Sequence, residues 1–454
     1  MAFGFLVTFF CTVSALPTLF PQEPLKPKDH SQGYKFDPLL HLPGISPYFD
    51  ALGFGLDHAP PEGCHVTAAS YLIRHAAIYA NDDEYEEYIK PFLWKLEQHR
   101  DGWSGPLDFM ATWQSPILED KLEDITPSGA ADAKKVGSHL LKHYPELAPT
   151  VGRVLADKKA RTYDTARALV EAFPQSQKIE VVQIKRDKNG SMDSLIPHKS
   201  CPAFNKSPGK AEMAEFVSHY AAHVSARLER FCPFKLEDND IVGLQGLCGY
   251  ESAIRGERSP LCAVFTDSEW MAYEYAWDLR YAHMMGPLNP LSPYLGFPWI
   301  QAQSELFQQL DSNAPDDPEG QSTGPGWPKD QRFFLSFSHR EVPPFVATSL
   351  GIFNSSSAAL EEFPTDHVNW VRAWRMSDLI PFLGHVGMEK MSCDERPGQQ
   401  GDYIRVIANT APRPIPQCQD GPGASCPLDK FADAIAKGAN KYGDFHSVCG
   451  DSPK

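Results

Sequence analysis

Segments with strand character sit at both ends of this 454-residue chain, and the stretch between them reads as helix. Residues 65–73 (HVTAASYLI), 151–157 (VGRVLAD) and 179–186 (IEVVQIKR) are apolar and β-prone, and 333–338 (FFLSFS) and 403–408 (YIRVIA) resume the pattern far downstream. Helical patterns separate the first three. One runs from a cap at Asn81 or Asp82 to about residue 99, bent at Pro91; one opens at Thr126-Pro127-Ser128-Gly129; one covers 161–173. Thr is a good N-cap and Pro suits the first helical position. Strands alternating with helices argue for an α/β chain. A long helix over about 209–231 follows, and helix predominates from 210 to 310, with loops around Gly249 and Gly286. A sheet divided in this way predicts one α/β core, a sheet flanked by helices, with a smaller and mainly helical domain inserted into it. The expected boundaries are 61–190 and 320–454 for the core and 191–319 for the insert.

The rest is punctuation. Residues 16–60 are Pro-rich and aperiodic, an extended wrapping segment. Residues 101–118 read as a Trp/Gly/Pro-rich loop, 311–330 as a polar Pro/Gly loop, and 418–426 as a short Cys-bounded loop after the last strand. No internal repeat is visible.

The N-terminus bears on compartment. Residues 2–13 are almost wholly apolar, the run continues through Ser14 and Ala15, and Val13-Ser14-Ala15 fits a small-residue cleavage site. Such a run is too short to span a bilayer. Residues 1–15 are therefore expected to be a secretory signal peptide, though without a basic n-region, rather than a buried first helix or strand. No second run approaches 18 apolar residues, so the remainder is expected to be secreted, with no membrane partner. Of ten Cys, one lies in this leader and none forms a CxxC pair, which argues against zinc ribbons and thioredoxin-like sites. Nine Cys in an oxidising compartment suggest four disulfides and one leftover thiol. Sequons at Asn189, Asn205 and Asn354 suit glycosylation of a secreted surface. A net charge of −16 makes nucleic acid an unsuitable partner.

Chemistry concentrates at two strand ends. The first strand ends in Arg74-His75 and the fourth leads into His339-Arg340-Glu341. In open α/β sheets, ligands bind beyond the C-terminal ends of the strands, so both groups reach one crevice if these strands are neighbours. A lone His at a strand end is often structural. No HxxxH or HxH spacing includes His75, and Arg74 beside it disfavours a bound cation, so a metal is not expected. An Arg-flanked imidazole suits attack on a tetrahedral oxyanion clamped by guanidinium groups. Phosphoryl transfer needs mostly positioning and positive charge, plus an acid for the leaving oxygen, for which Glu341 is the candidate.

Taken together, these blocks resemble the histidine acid phosphatases, in the branch that includes secreted fungal phytases. Arg74-His75 matches the start of the family's R-H-G-x-R-x-P motif. Ile125-Thr126-Pro127-Ser128-Gly129 is similar to its L-T-P-x-G helix start, Arg161 in KKARTYDTARAL to its third phosphate-binding arginine, and residues 337–351 (FSHREVPPFVATSLG) to the block with the second active-site His. Residues 193–204, 259–270 and 286–299 resemble family loops. The resemblance implies a secreted acid phosphatase acting on a small phosphomonoester with no metal and no organic cofactor. His75 would attack phosphorus and become phosphohistidine; Arg74, Arg161 and His339 would hold the phosphoryl oxygens; Glu341 would donate the proton. Family members carry His-Asp or His-Ala-Glu at the second site, and His339-Arg340-Glu341 fits the second form with Arg in place of Ala. The resemblance also implies the bridges Cys64–Cys393, Cys201–Cys449, Cys248–Cys262 and Cys418–Cys426, leaving Cys232 free and buried.

The chain departs from the motif at Ala76, Ile78 and Ala80, where the family has Gly, Arg and Pro. An aliphatic chain thus replaces a phosphate-binding cation at 78, and Arg340 is the candidate to restore that charge. The alternative is a weak or inactive relative that binds an anion, or does other chemistry, in the same pocket. Bland readings exist for the other polar groups: Arg161 as a surface Arg at a helix start, Glu341 as a first-turn carboxylate favoured by the macrodipole, His143 and His198 as surface residues, and the acidic run 82–87 as a solvated helix face. If that run borders the pocket, it would repel a highly charged substrate such as phytate and favour a smaller or less charged ester.

Overall fold

The computed structural model describes residues 36–51, 53, 55–149, 151–184, 194–310, 327–353, 363–395, 398–416 and 418–450. The expected leader and the sequons at Asn189 and Asn354 lie outside these residues; Asn205 is exposed.

Strand β1 (His65–Arg74) is buried on both faces, which is why its sequence is a nearly continuous apolar run. Ala69, Tyr71 and Ile73 pack into one apolar layer with α3 (Pro127–His143) and α4 (Ala160–Val170). Ala68 and Leu72 face the opposite layer, with α8 (Ser292–Gln309) and α9 (Val342–Leu350). Strands β2 (Gly152–Asp157), β3 (Ile179–Ile184) and β4 (Phe333–Ser338) run parallel to it in the order β3-β2-β4-β1. The sheet continues antiparallel through β5 (His385–Ser392), β6 (Asp402–Ala408) and β7 (Ala411–Arg413), with β8 (Cys426–Pro427) also on β6. Between β3 and β4 come α5 (Lys210–Leu228), α6 (Asp238–Arg255), α7 (Asp267–Met285) and α8, and the chain closes with α10 (Leu428–Tyr442) and α11 (Phe445–Cys449). The α/β class read from the sequence stands.

Several local expectations are corrected. The helix after His75 is not simply bent at Pro91. It runs as α1 (Asp82–Glu84), a π-turn over Tyr85–Ile89 and α2 (Lys90–Gln98), so the widened turn precedes the proline, which has no N–H to give the ladder. Residues 101–118 contain a 3-10 helix at Gly105–Ala111. Gly249 lies inside α6 rather than in a loop; a Cβ there would meet Ile45 at 3.0 Å, so the small residue serves close packing of the wrapping segment. β5 and α10 were not expected, and β6 is not the last strand. The four cystine pairs are the implied ones, while the Cys232 thiol is only half-buried.

Candidate active site

β1 and β4 are adjacent and parallel, with Arg74 opposite Ser338, so His75 and His339 leave the sheet side by side. Their rings are 5.8 Å apart. β2 flanks β4 on its other side and delivers Asp157 at its own C-terminal end. A cavity of about 360 Å³ opens there, lined by Arg74, His75, Ile78, Arg161, His198, Lys206, His339, Arg340 and Glu341 among others. Its full lining carries seven Arg or Lys side chains against four carboxylates, in a chain of net charge −16. That local inversion of sign selects an anion. A larger groove between α5 and α6 is lined by Glu229, Glu237 and Asp238 against one cation, Lys235, and by none of the strand-end residues.

The segment after His75 is fixed by α3. Thr126 caps α3 by accepting from the Gly129 N–H, and its own N–H donates to Ala77 O at 2.8 Å. Gly129 touches the same backbone: a Cβ there would lie 2.5 Å from Ala77 O. The Ala76 N–H donates to Thr165 Oγ1 on α4 at 2.9 Å. The T-P-x-G run thus serves contact with the His75 loop rather than helix initiation alone.

His75 Nδ1 lies 2.9 Å from Ala76 O. A carbonyl only accepts, so Nδ1 carries the proton and Nε2 holds the free lone pair. Burial, then Arg161, Arg74 and His339, hold its pKa well below the ordinary histidine value, so it stays neutral at acidic pH. Arg74 donates to Ile380 O at 2.7 Å and stacks on Phe382. Burial and neighbouring Arg340 lower it to about 9, still charged under acid conditions. Arg161, in the first turn of α4, pairs with Glu123. His339 Nε2 donates to Asp157 Oδ2 at 2.7 Å; burial pushes that carboxyl up, but the bond and charge of His339 leave it below its usual range. Arg74 Nε, Arg161 Nε and His339 Nδ1 are buried without a hydrogen-bond partner among the described residues, as an anion site requires.

Glu341 sits just before α9, buried, with Lys206 Nζ 3.8 Å away. Burial raises its carboxyl, but His198, Lys206, Arg340 and His339 outweigh that and hold it well below the carboxylate range. Arg340 is buried against Glu84 and over the Tyr281 ring. Its charge is therefore largely matched within the protein. Ile78 is 2% exposed and bridges to Ile125, forming an aliphatic wall where the family motif has an arginine.

Some polar groups were misjudged from sequence. His198 is buried in the pocket, not on the surface. The acidic run is not a free solvated face: Glu84 is buried with Arg340, Asp83 pairs with Lys206 and Glu87 with Lys210. Asp157 and Lys206 were missed. Asp157 could have been found by applying the strand-end rule to VGRVLAD; no local pattern marks Lys206. His143 is half-buried beside Glu389, away from the site.

The family model of the histidine phosphatase superfamily (branch 2) matches residues 65–409, from β1 to just past β6. The chain belongs to this family. It is 26% identical over 431 residues to an acid phosphatase of Komagataella pastoris, covering 92% of this chain and 87% of the relative. It is 26% identical to phytase A of Aspergillus oryzae, covering 89% and 90%. Among solved structures, the phytase of D. castellii shares the fold with a TM-score of 0.79 at 23% identity, covering 92% and 89%. The named relatives are acid phosphatases and phytases, and the chain is a phosphoric monoester hydrolase of that acid phosphatase type.

Proposed function

We propose that this protein is a secreted enzyme that hydrolyses a small phosphomonoester through a phosphohistidine on His75. The carrying observation is geometric: His75 spends Nδ1–H on Ala76 O, which leaves Nε2 as the nucleophilic nitrogen in a cavity also lined by Arg74, Arg161 and His339. In the first step the Nε2–P bond forms as the ester P–O bond breaks. Arg74, Arg161 and His339 take the equatorial oxygens, with Asp157 orienting the His339 ring. Glu341 handles the leaving-oxygen proton, then takes a proton from the water that releases phosphate. Because it is ionised in the empty pocket, it must acquire that first proton when substrate binds.

The substrate preference follows from charge already spent. In the adjoining cavity of about 270 Å³, Lys206, Lys210, Arg280 and Arg340 face Asp83, Glu84 and Glu87. On that side Lys206, Lys210 and Arg340 are each paired with a carboxylate, so less positive charge is free there for a second or third phosphate, which favours esters less charged than phytate. Export fits four disulfides, and no helix among the described residues is long and apolar enough to cross a membrane.

The test is rapid quench with a labelled ester and mapping of an acid-labile phosphopeptide, expected at His75. A His75→Ala variant with wild-type turnover would show the mechanism to be wrong. The Ile78 wall favours a second reading, an anion-binding relative with little turnover. Hydrolysis of p-nitrophenyl phosphate at mildly acidic pH separates the two.

A further inference from the structure

One residue beside the phosphate clamp holds a backbone conformation that its side chain disfavours. Glu123 lies two residues before the Ile125-Thr126-Pro127 run and has φ +69°. Few residues with a side chain enter that left-handed region, whereas glycine takes it freely. Its surroundings fix it there. The Glu123 N–H donates to Ala80 O at 2.9 Å, the Tyr79 N–H donates to Asp124 O at 3.1 Å, and Ile78 bridges to Ile125, so residues 123–125 run along the chain that leaves His75. From that position the side chain lines the active-site cavity. Each carboxylate oxygen has its own partner. Oε2 pairs with Arg161 Nη1. Oε1 accepts from Asn81 Nδ2 at 2.8 Å and from the Asp82 N–H at 3.3 Å. Asn81 is the N-cap of α1, its Oδ1 accepting from the Glu84 N–H at 3.4 Å. Backbone strain of this kind persists where the surrounding structure over-determines it, and it gathers at active sites.

We propose that Glu123 is a positioning residue for the phosphate clamp: it fixes the Arg161 guanidinium by one nitrogen and so leaves Nε for the anion. This rests on the phosphatase reading above, in which Arg161 holds a phosphoryl oxygen. Arg161 stands in the first turn of α4 and carries its charge on a long side chain with many rotamers. Among the described residues Glu123 is its only ion-pair partner. With Nη1 held, Nε is buried and has no hydrogen-bond partner among those residues. Such a guanidinium is oriented before the ester arrives, so transition-state charge meets a donor that does not have to move. The same carboxylate ties Arg161 to Asn81, which lines both the phosphate cavity and the adjoining one. Clamp and neighbouring cavity wall are thus joined through one side chain. A carboxylate in an anion site also repels phosphate, and the gain from orienting Arg161 has to exceed that repulsion. The sign of its effect therefore depends on Arg161.

The experiment removes the carboxylate with and without Arg161. Glu123→Gly keeps the left-handed backbone and loses only the side chain. Wild type, Glu123→Gly, Arg161→Ala and the double variant are compared by vanadate binding in titration calorimetry and by turnover of p-nitrophenyl phosphate. We expect Glu123→Gly to weaken vanadate binding and lower kcat/KM about tenfold to a hundredfold, the range expected when a clamping group is misplaced by about 1 Å. In the Arg161→Ala background the same change should cost nothing or tighten vanadate binding, because an unpaired carboxylate has gone. An equal loss in both backgrounds would overturn the proposal and show Glu123 acting through the His75 loop. Tighter vanadate binding by Glu123→Gly alone would also overturn it, making Glu123 a competitor of the anion for Arg161, and so would no change in either background. Should Glu123→Gly melt well below wild type, Glu123→Asn takes its place, since Asn tolerates positive φ and is a methylene shorter, and the same outcomes decide. Absence of p-nitrophenyl phosphate turnover in wild type would overturn the phosphatase reading, while vanadate binding would still decide the role of Glu123. A wild type that binds no vanadate overturns both.

Discussion

At the scale of single residues, the pocket is decided by which charges are free. Among the described residues, Arg74, Arg161 and His339 each keep a buried N–H or ring nitrogen without a hydrogen-bond partner, whereas Arg340 faces Glu84. Ile78 is thus a lost cation that nothing nearby fully replaces. Ile78→Arg should tighten phosphate and vanadate binding about tenfold or more, since a charge-assisted hydrogen bond is worth about 1.5–3 kcal/mol. Titration calorimetry reads this directly, and thermal melting reports any overpacking at a site 2% exposed. A folded variant with unchanged phosphate affinity would place the phosphate away from residue 78. Arg340→Ala should then cost wild type and Ile78→Arg alike, because its charge is committed to Glu84; a larger loss in wild type would show Arg340 compensating. At this scale the sequence spoke clearly where a residue's role is set by a strand end, as for His75 and His339. It was silent on His198 and Glu84, whose burial depends on loops and helices brought in from distant parts of the chain.

At the scale of elements, the device that matters is the seat of α3 against the His75 loop. Gly129 is needed for approach, not for backbone freedom, since a Cβ there would sit 2.5 Å from Ala77 O and 2.9 Å from Ala77 N. Gly129→Ala should therefore displace the loop and cut kcat by at least tenfold. It should also lower stability by about 1–3 kcal/mol, seen as a fall in Tm. Thr126→Val, which removes the cap but not the contact, should cost only about 1 kcal/mol and spare most activity. Equal losses of activity in the two variants would mean that helix stability, not approach, holds the loop. The T-P-x-G run, β4 and the paired strand ends were legible because local chemistry dictates them. β5 was not, because its sequence (HVGMEKMS) carries Glu389 and Lys390, which read as exposed. Both are buried: Arg405 and Tyr144 meet Glu389, and Asp402 meets Lys390. Those partners come from other elements and leave no periodicity to see.

At the scale of the whole molecule, stability and pH are linked through buried neutral imidazoles. His75, His198 and His385 are all depressed, chiefly by burial, the last two to about 3 and 4. Unfolded, each takes up a proton near pH 6.5; folded, each resists. Below pH 6.5 the unfolded state therefore binds more protons, and stability falls by up to about 1.4 kcal/mol per pH unit for each histidine. Asp278, raised by burial beside Glu274, opposes this with one proton. Tm should accordingly drop between pH 7 and 5, and His385→Phe should flatten the drop; an unchanged slope would remove His385 from the account. Opening Cys64–Cys393, which clamps the start of β1 to the end of β5, should cost about 2–5 kcal/mol, measured by denaturant titration of a Cys64→Ser/Cys393→Ser variant. The strand order carries a last consequence, one of timing. β1 and β2 are never neighbours: β4 lies between them and leaves synthesis only after α5 to α8. Until residues 333–338 emerge, the N-terminal strands lack their central partner, so the sheet cannot close piecemeal as the chain grows. A nascent chain stopped before β4 should be protease-sensitive at β1, and resistance there should come only once β4 and then β5, the two neighbours of β1, have both emerged.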